Sequence, residues 1–214
     1  MNDLEIRTSF HVAMLRRYHS SKNALVLDEL GLMHGSCRAD IAVINGRLLG
    51  FEIKSNDDSL RRLQGQIDAY NSVFDTVTII VGTRHRRAVT KTVPPWWGIV
   101  VATESVKGKA RFRIQRKAKP NPSISPFSVA QLLWRDEIVE LLRQFGAPSS
   151  VLRFPRNILY RLLAWHLPVD ELRRVVCRQL KSRKNWRCHL PPSEDGDLSR
   201  PTSTLLDCRS RQGV

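Results

Sequence analysis

Two acidic residues and a lysine interrupt a stretch that otherwise has the pattern of a β-hairpin. Residues 38–54 read RADIAVINGRLLGFEIK, with Asp40 near the start and Glu52 and Lys54 at the end. Large apolar residues alternate with other residues along both halves, which is the period of a β-strand. The Asn-Gly pair between the halves is a strong hairpin turn signal. Because the three charged residues have the parity opposite to that of the large apolar side chains, we expect them to leave the apolar face at one end of the hairpin.

The length of the hairpin loop decides which residues share a face. A two-residue turn at Asn45-Gly46 would pair Ile44 with Arg47 and direct the two carboxylates apart. A three-residue loop, Ile44 to Gly46, instead pairs Val43 with Arg47 and Asp40 with Gly50. We predict the second register, because it places Asp40, Glu52 and Lys54 on one face.

This arrangement could support metal-dependent chemistry. Two carboxylates on neighbouring strands can hold Mg²⁺ (or Mn²⁺) through oxygen ligands and leave positions for water and a phosphate oxygen. Lys54 could orient or deprotonate an attacking water. Downstream, Gln66 and Tyr70 are four residues apart, so on a helix they lie one above the other and could reach over the strand ends. We expect that helix to begin with Asp58 as its N-cap and to bury an apolar stripe of Leu60, Leu63, Ile67 and Phe74.

An aspartate followed on the next strand by Glu-x-Lys resembles the core of the PD-(D/E)XK nuclease superfamily, and the Gln-x-x-x-Tyr element resembles its RecB-like branch. The resemblance implies a restriction-endonuclease-like fold in which Asp40 and Glu52 bind the metal, with Glu29 as a third carboxylate. It implies catalytic roles for Lys54, Gln66 and Tyr70 as well. The proline that precedes the first aspartate in that superfamily is replaced here by Ala39.

Further motifs, over roughly residues 1–190, resemble a family of bacterial and phage proteins taken to be nucleases. They are Leu27–Leu32, His34-Gly35, Arg38–Ile41, Pro95–Gly98, Leu133–Glu137 and Trp186-Arg187.

Each candidate residue also has a structural interpretation. A Glu-x-Lys pair alone is usually a pair of surface charges, and a lone Gln and Tyr on a helix are usually a solvated and a half-buried side chain. For His34 we expect a structural hydrogen bond rather than catalysis. The tryptophans at positions 96, 97, 134 and 186 are expected in packing rather than as base-stacking platforms.

The chain is strongly basic, but unevenly so. It has 35 Lys and Arg against 20 Asp and Glu, a formal net charge of +15. Residues 1–82 carry nine basic and ten acidic residues, so the whole excess lies in residues 83–214. Such an asymmetry is typical of a polyanion-binding protein, although a generally basic proteome would also produce it. We therefore predict a nucleic-acid partner, with DNA favoured, contacted by the last predicted helix through Arg173, Arg174, Arg178, Lys181, Arg183 and Lys184.

The order of predicted elements indicates an α/β protein, with a mixed sheet in an αβββαβ core and a C-terminal helical extension. We predict a core over residues 1–118, a proline-containing linker over 119–125, a basic helical region over 126–189 and a disordered tail over 190–214. The four cysteines form no CxxC pair, which argues against a zinc ribbon. No apolar run reaches transmembrane length, so we expect no membrane contact and a cytoplasmic location.

These observations predict a Mg²⁺-dependent nuclease that hydrolyses phosphodiester bonds, with DNA as the favoured substrate. The alternative is a catalytically silent nucleic-acid-binding or adaptor subunit of a phage, defence or repair assembly. A bacterial or phage origin is expected in both cases.

Overall fold

The computed structural model describes residues 1–104 and 110–183. Its strands and helices follow one another in the predicted αβββαβ order, and further helices follow the sheet. The strands are β1 (Leu25–Leu32), β2 (Cys37–Ile44), β3 (Leu48–Lys54), β4 (Thr76–Gly82), β5 (Gly98–Glu104) and β6 (Ala110–Arg116). The α-helices are α1 (Asp3–Ala13), α2 (Arg16–His19), α3 (Leu63–Val73), α4 (Arg86–Thr92), α5 (Pro126–Ala130), α6 (Arg135–Gln144), α7 (Arg156–His166) and α8 (Val169–Ser182), and short 3-10 turns occupy Met33–Gly35 and Val151–Arg153.

The six strands form one open mixed sheet in which the order in space equals the order in the chain. Strands β1, β2 and β3 are antiparallel neighbours. Strands β3, β4 and β5 are parallel, and β6 returns antiparallel to β5. The predicted mixed α/β architecture is therefore confirmed.

Helices cover both faces of the sheet. On one face α1 places Ile6 and Phe10 against Ile41, Ile53 and other apolar side chains of the central strands. On the other face α3 and the helices α5 to α8 share one hydrophobic cluster with the sheet. The helical region thus packs directly on the strands, whereas the boundary predicted between core and extension stays a prediction. The charged face of the hairpin lies on this second side of the sheet, where Gln66 and Tyr70 of α3 contact Glu52.

The hairpin register differs from the predicted one by two residues. The observed pairs are Ile44 with Leu48, Val43 with Leu49 and Ala42 with Gly50, around a three-residue loop that begins at Asn45. Since the shift is even, each side chain keeps its predicted face. Extending this register brings Asp40 level with Glu52, which places the two carboxylates closer together than the predicted pairing would.

Helix α3 lies close against β3 because Gly50 has no side chain. A Cβ atom at Gly50 would lie 2.5 Å from Cδ2 of Phe74, the fully buried residue that directly follows α3. The helix begins at Leu63 and not at Asp58. Instead, the Asp58 carboxylate accepts a hydrogen bond from the backbone N–H of Ser55 at 2.7 Å, so it stabilises the turn that follows β3.

Two points concern the ends of the chain. At the N-terminal end, the capping box of Asn2 and Glu5 fixes the start of α1, which ends at Ala13 before the short helix α2. The tail predicted to be disordered lies outside the described residues. No helix in the described part of the chain is both long and apolar enough to span a bilayer. The cytoplasmic location stays a prediction.

Candidate functional site

Glu52 is the centre of a buried polar cluster on β3. Its side chain is 0% exposed, and it faces the helices of the larger core. Lys54, two residues along the same strand, donates a hydrogen bond from Nζ to Oε1 of Glu52 at 2.6 Å. The Lys54 side chain is only 8% exposed. The ammonium group is therefore used inside the protein and is not presented to a substrate.

Helix α3 completes this cluster with the two residues that the sequence predicted. Gln66 donates from Nε2 to Oε1 of Glu52 at 2.5 Å, and the Tyr70 hydroxyl donates to Oε2 at 2.6 Å. Burial and the nearby carboxylates raise the pKa of Tyr70 well above its usual value, so the hydroxyl keeps its proton and stays a donor. Together with Lys54, three donors satisfy both oxygens of Glu52.

Asp40, at the edge of the cluster, is held by backbone and side-chain donors. Its Oδ2 accepts a hydrogen bond from the backbone N–H of Ile53 at 2.7 Å. Its own backbone N–H donates to the Tyr70 hydroxyl at 3.1 Å. Burial, with a further contribution from the negative charge of Glu52, raises the pKa of Asp40 from 3.8 to about 7. The carboxyl groups of Asp40 and Glu52 therefore lie close enough to interact strongly.

Arg7 of α1 joins this cluster, although no sequence pattern indicated it. Its guanidinium donates to the backbone oxygen of Asp40 at 2.8 Å and lies 3.5 Å from Oδ1 of the same residue. It also lies 3.1 Å from Glu29, the predicted third carboxylate. Glu29 has a second cationic neighbour in Arg38 at 3.3 Å and a left-handed backbone conformation, with φ of 56°. The Glu29 carboxylate thus forms ion pairs with two arginines.

The cluster as it stands does not fit a metal ion. The oxygens of Glu52 are filled by three donors, Glu29 is paired with arginines, and Asp40 accepts from the backbone, so a divalent cation would have to displace these partners. Within residues 1–104 and 110–183, no group of three or more His, Cys, Asp or Glu side chains comes together as a metal site. Binding of Mg²⁺ or Mn²⁺ at Asp40 and Glu52 stays an untested prediction.

Two of the arginines predicted to bind nucleic acid from the last helix, Arg173 and Arg183, are already paired with carboxylates in the structure. Arg183 donates from two nitrogens to the two carboxylate oxygens of Glu137, each at 2.6 Å, and its side chain is 5% exposed. Arg173 forms ion pairs with the buried Asp75 and with Asp170. These two arginines attach α8 to α6 and to the start of β4, so their charges are already used.

The other four predicted α8 contacts have different surroundings. Arg174 and Arg178 are exposed. Lys181 donates to the backbone oxygen of Asn23 at 3.3 Å. Lys184 lies outside the described residues.

A different surface, on α4 and β6, concentrates exposed positive charge. Between residues 84 and 119 the chain has eleven Lys and Arg and one acidic residue, Glu104. The two elements are joined at Gln115, which accepts from Arg86 at 2.7 Å and donates to Thr90 at 3.1 Å. We call the exposed cations of α4, of the turn before it and of β6 the basic face: Arg84, Arg86, Arg87, Lys91, Arg111 and Arg113. Among the described residues, none of the six has a carboxylate within ion-pair distance.

The tryptophans and His34 fit the structural interpretation only in part. Trp97 is fully buried and donates from its indole nitrogen to Asn71 at 2.8 Å. Trp134 is 56% exposed and lies under the Arg183 guanidinium, 4.1 Å from the ring centroid. The His34 ring packs against Tyr160, with a centroid distance of 5.1 Å. Trp186 lies outside the described residues. Trp165, for which no sequence pattern indicated a role, is 91% exposed.

The fold and the cluster together define a mixed α/β protein whose carboxylates are satisfied by its own donors. Residues 8–195 match the family described as bacteriophage P4 protein cII. The chain belongs to this family. It is 34% identical over 165 residues to the protein named Protein cII from Enterobacteria phage P4, an alignment that covers 75% of this chain and 60% of that relative. No solved structure matches the chain.

The comparisons correct the predicted identity. The family match is to phage P4 protein cII and not to a nuclease family, so the assignment to the PD-(D/E)XK superfamily is wrong. The predicted nuclease, hydrolase and phosphodiesterase activity is wrong with it, and the expected phage origin agrees with the family. The physical reason is that residue spacing along a hairpin does not reveal whether the side chains are accessible. The restriction-endonuclease-like fold stays a prediction.

Proposed function

We propose that this protein is a non-catalytic nucleic-acid-binding protein that contacts the phosphate backbone of DNA through the basic face. The observation that carries the proposal is the set of six exposed cations on α4, the turn before it and β6, none of them paired with a described carboxylate. Unpaired surface cations release condensed counterions when they meet phosphates, and this release supplies most of sequence-independent binding.

The buried cluster supports a non-catalytic role. A catalytic lysine must reach solvent or substrate, whereas Lys54 is enclosed with Glu52. Gln66 and Tyr70 fill the remaining positions around the same carboxylate. We infer that these residues fix α3 to the end of β3 and so stabilise the fold, because buried charges persist in proteins when they are paired and hydrogen-bonded.

The geometry of the basic face suits a backbone contact. Arg111 and Arg113 are two residues apart on β6, so their side chains lie on the same side of the strand. Arg87 and Lys91 are four residues apart on α4 and share one face of that helix. Arginine and lysine in this arrangement offer donors to successive phosphates without reading bases, so we expect weak dependence on DNA sequence.

The proposal can be tested with two charge-matched triple variants. In the first, Arg87, Arg111 and Arg113 are replaced by Gln; in the control, the exposed Arg16, Arg17 and Lys22 are replaced by Gln. Each lowers the net charge by three. Binding to labelled duplex DNA is measured by fluorescence anisotropy over a range of salt concentrations.

The first variant should bind more weakly, and the slope of log K against log salt should become shallower by about 2.7, or about 0.9 per lost phosphate contact. The control should keep a slope close to that of the wild type. If the two variants weakened binding equally, binding would depend only on overall charge, and the basic face would not be the binding surface. Absence of wild-type binding would refute the proposed function itself.

A further inference from the structure

A groove between α5 and α7 combines aromatic rings with positive charge. Its volume is ≈ 480 Å³. It is lined by Ser125, Pro126, Phe127, Arg161, Ala164 and Trp165. It belongs neither to the buried cluster around Glu52 nor to the basic face.

Among the large apolar side chains of residues 1–104 and 110–183, Trp165 is the most exposed, at 91%. Burial of an indole ring stabilises a folded protein, and an exposed ring does not contribute this stabilisation. Exposed aromatic side chains in a groove are frequent at binding sites. The contrast with Trp97, which is fully buried and hydrogen-bonded, shows that this fold can bury an indole where packing requires it. An exposed ring beside a groove is therefore available to a ligand.

The wall opposite Trp165 is fixed in place by packing. Phe127 contacts Tyr160 edge to face, with ring centroids 6.2 Å apart and an interplanar angle of 89°. The Tyr160 side chain is itself fully buried and donates from its hydroxyl to the backbone oxygen of Leu133 at 2.8 Å. The Arg161 guanidinium lies over the Phe127 ring, 5.8 Å from its centroid. A planar ligand entering the groove would meet a preformed arrangement of rings and a guanidinium group.

The charge around the groove favours an anionic ligand. Residues 141–169 contain four arginines and no Asp or Glu. One of them, Arg143, is paired with Glu140 on α6. For Arg153, Arg156 and Arg161, no carboxylate of the described residues lies within ion-pair distance. A protein partner would have to match both the rings and this uncompensated charge, whereas a nucleic-acid strand offers flat bases and phosphates together.

We propose that this groove binds an unstacked base of single-stranded nucleic acid, with Trp165 stacking on the base and Arg161 contacting the adjacent phosphate. The proposal rests on the proposed nucleic-acid-binding function and specifies single-stranded nucleic acid as a ligand. The bases of a duplex are already stacked on one another, so an exposed indole cannot reach their faces, whereas a single strand can present them. The basic face would contact backbone, and the groove would select single-stranded segments.

The test compares single-stranded and duplex ligands of the same sequence. A labelled oligonucleotide of about 12 nucleotides is titrated with the wild type, Trp165→Ala and Trp165→Phe. The matched control is Leu4→Ala, which truncates another exposed apolar side chain, 69% exposed on α1. Circular dichroism checks that each variant is folded.

Trp165→Ala should weaken single-strand binding by about 5- to 150-fold, the range expected for loss of one base–aromatic stack. Trp165→Phe should keep most of the affinity, because it keeps a ring. Duplex binding should be unchanged in both variants, and Leu4→Ala should match the wild type on both ligands. Arg161→Gln should weaken single-strand binding and lower its salt dependence.

Three results would overturn the proposal in distinguishable ways. Unchanged single-strand affinity in Trp165→Ala, with normal duplex binding, would refute the groove and leave the proposed function standing. A wild type that binds neither ligand would refute both. A wild type that sediments as a dimer, with Trp165→Ala as a monomer of unaltered affinity, would identify the groove as a contact between two copies of the chain.

Discussion

Replacing Asp40 by Asn should stabilise the protein at neutral and alkaline pH. Burial and the charge of Glu52 raise the pKa of Asp40 from 3.8 to about 7 in the folded state. The folded state therefore binds more protons than the unfolded chain between these two values. The free energy of unfolding falls as the pH rises through this window, because folding must then retain an ionised carboxylate in an unfavourable place.

The size of this effect follows from the same two values. Each unit of pKa difference corresponds to about 1.4 kcal/mol, so the full cost above pH 7 is at most about 4 kcal/mol. Neighbouring groups relax around the ionised carboxylate, and we expect a measured gain of about 2 to 4 kcal/mol for the Asn variant. Asn keeps an oxygen that can accept the hydrogen bond from Ile53, so the fold loses little in exchange.

Urea unfolding followed from pH 4 to pH 9 measures the effect. The difference in free energy of unfolding between the Asn variant and the wild type should be small near pH 4, increase up to about pH 7 and then level off. The control is Asp68→Asn, which removes a carboxylate from an exposed position on α3. Parallel curves for wild type and Asp40→Asn, or a less stable variant at pH 8, would show that the Asp40 carboxylate is not strained by its surroundings.

Two other predictions concern the contacts that hold the helices on the sheet. Glu137→Gln leaves the Arg183 guanidinium buried without its charged partner. In a denaturation assay this variant should lower the free energy of unfolding by about 3 to 5 kcal/mol. The matched control Glu140→Gln, at an exposed ion pair on the same helix, should lower it by less than about 1 kcal/mol. Gly50→Ala should destabilise the protein by about 1 to 3 kcal/mol, because the new methyl group would overlap the Phe74 ring. The control is Gly65→Ala, at an α3 position where a Cβ meets no atom within 4 Å. In thermal melts this control should be neutral or stabilising. Equal losses of stability in the two variants would contradict the close contact between Gly50 and Phe74.

The sequence predicted the strands and their faces well, because side chains alternate with a period of two and the apolar positions of β2 and β3 are unambiguous. It did not predict the register, since Asn45-Gly46 is compatible with several loops and an even shift leaves every face unchanged. It also placed Gln66 and Tyr70 beside Glu52 correctly. The sequence did not predict accessibility: the pattern of residues 38–54 does not show that Glu52 is fully buried or that Lys54 serves as its hydrogen-bond partner.

The α8 arginines show a second limit of sequence reasoning. Arg173 and Arg183 belong to the same amphipathic pattern as Arg178, yet they are bound by Asp75 and Glu137 from other elements. Such pairings depend on tertiary packing, which the charge of a helix does not reveal. A local signal did exist for the basic face, since a single acidic residue stands among eleven cations between residues 84 and 119.

The strands follow one another across the sheet in the order of the chain. The change in charge along the sequence therefore becomes a change in charge across the sheet. Strand β1 belongs to residues 1–82, which have no net positive charge, and β6 belongs to the strongly basic remainder of the chain. At about 4.8 Å between neighbours, five spacings separate these two edges by about 24 Å. The two edge strands therefore differ in charge: β1 contains Asp28 and Glu29 and no Lys or Arg, whereas β6 contains Arg111, Arg113 and Arg116. A polyanion in dilute salt would be attracted more strongly along the β6 strand than along β1, at a distance at which no contact has yet formed.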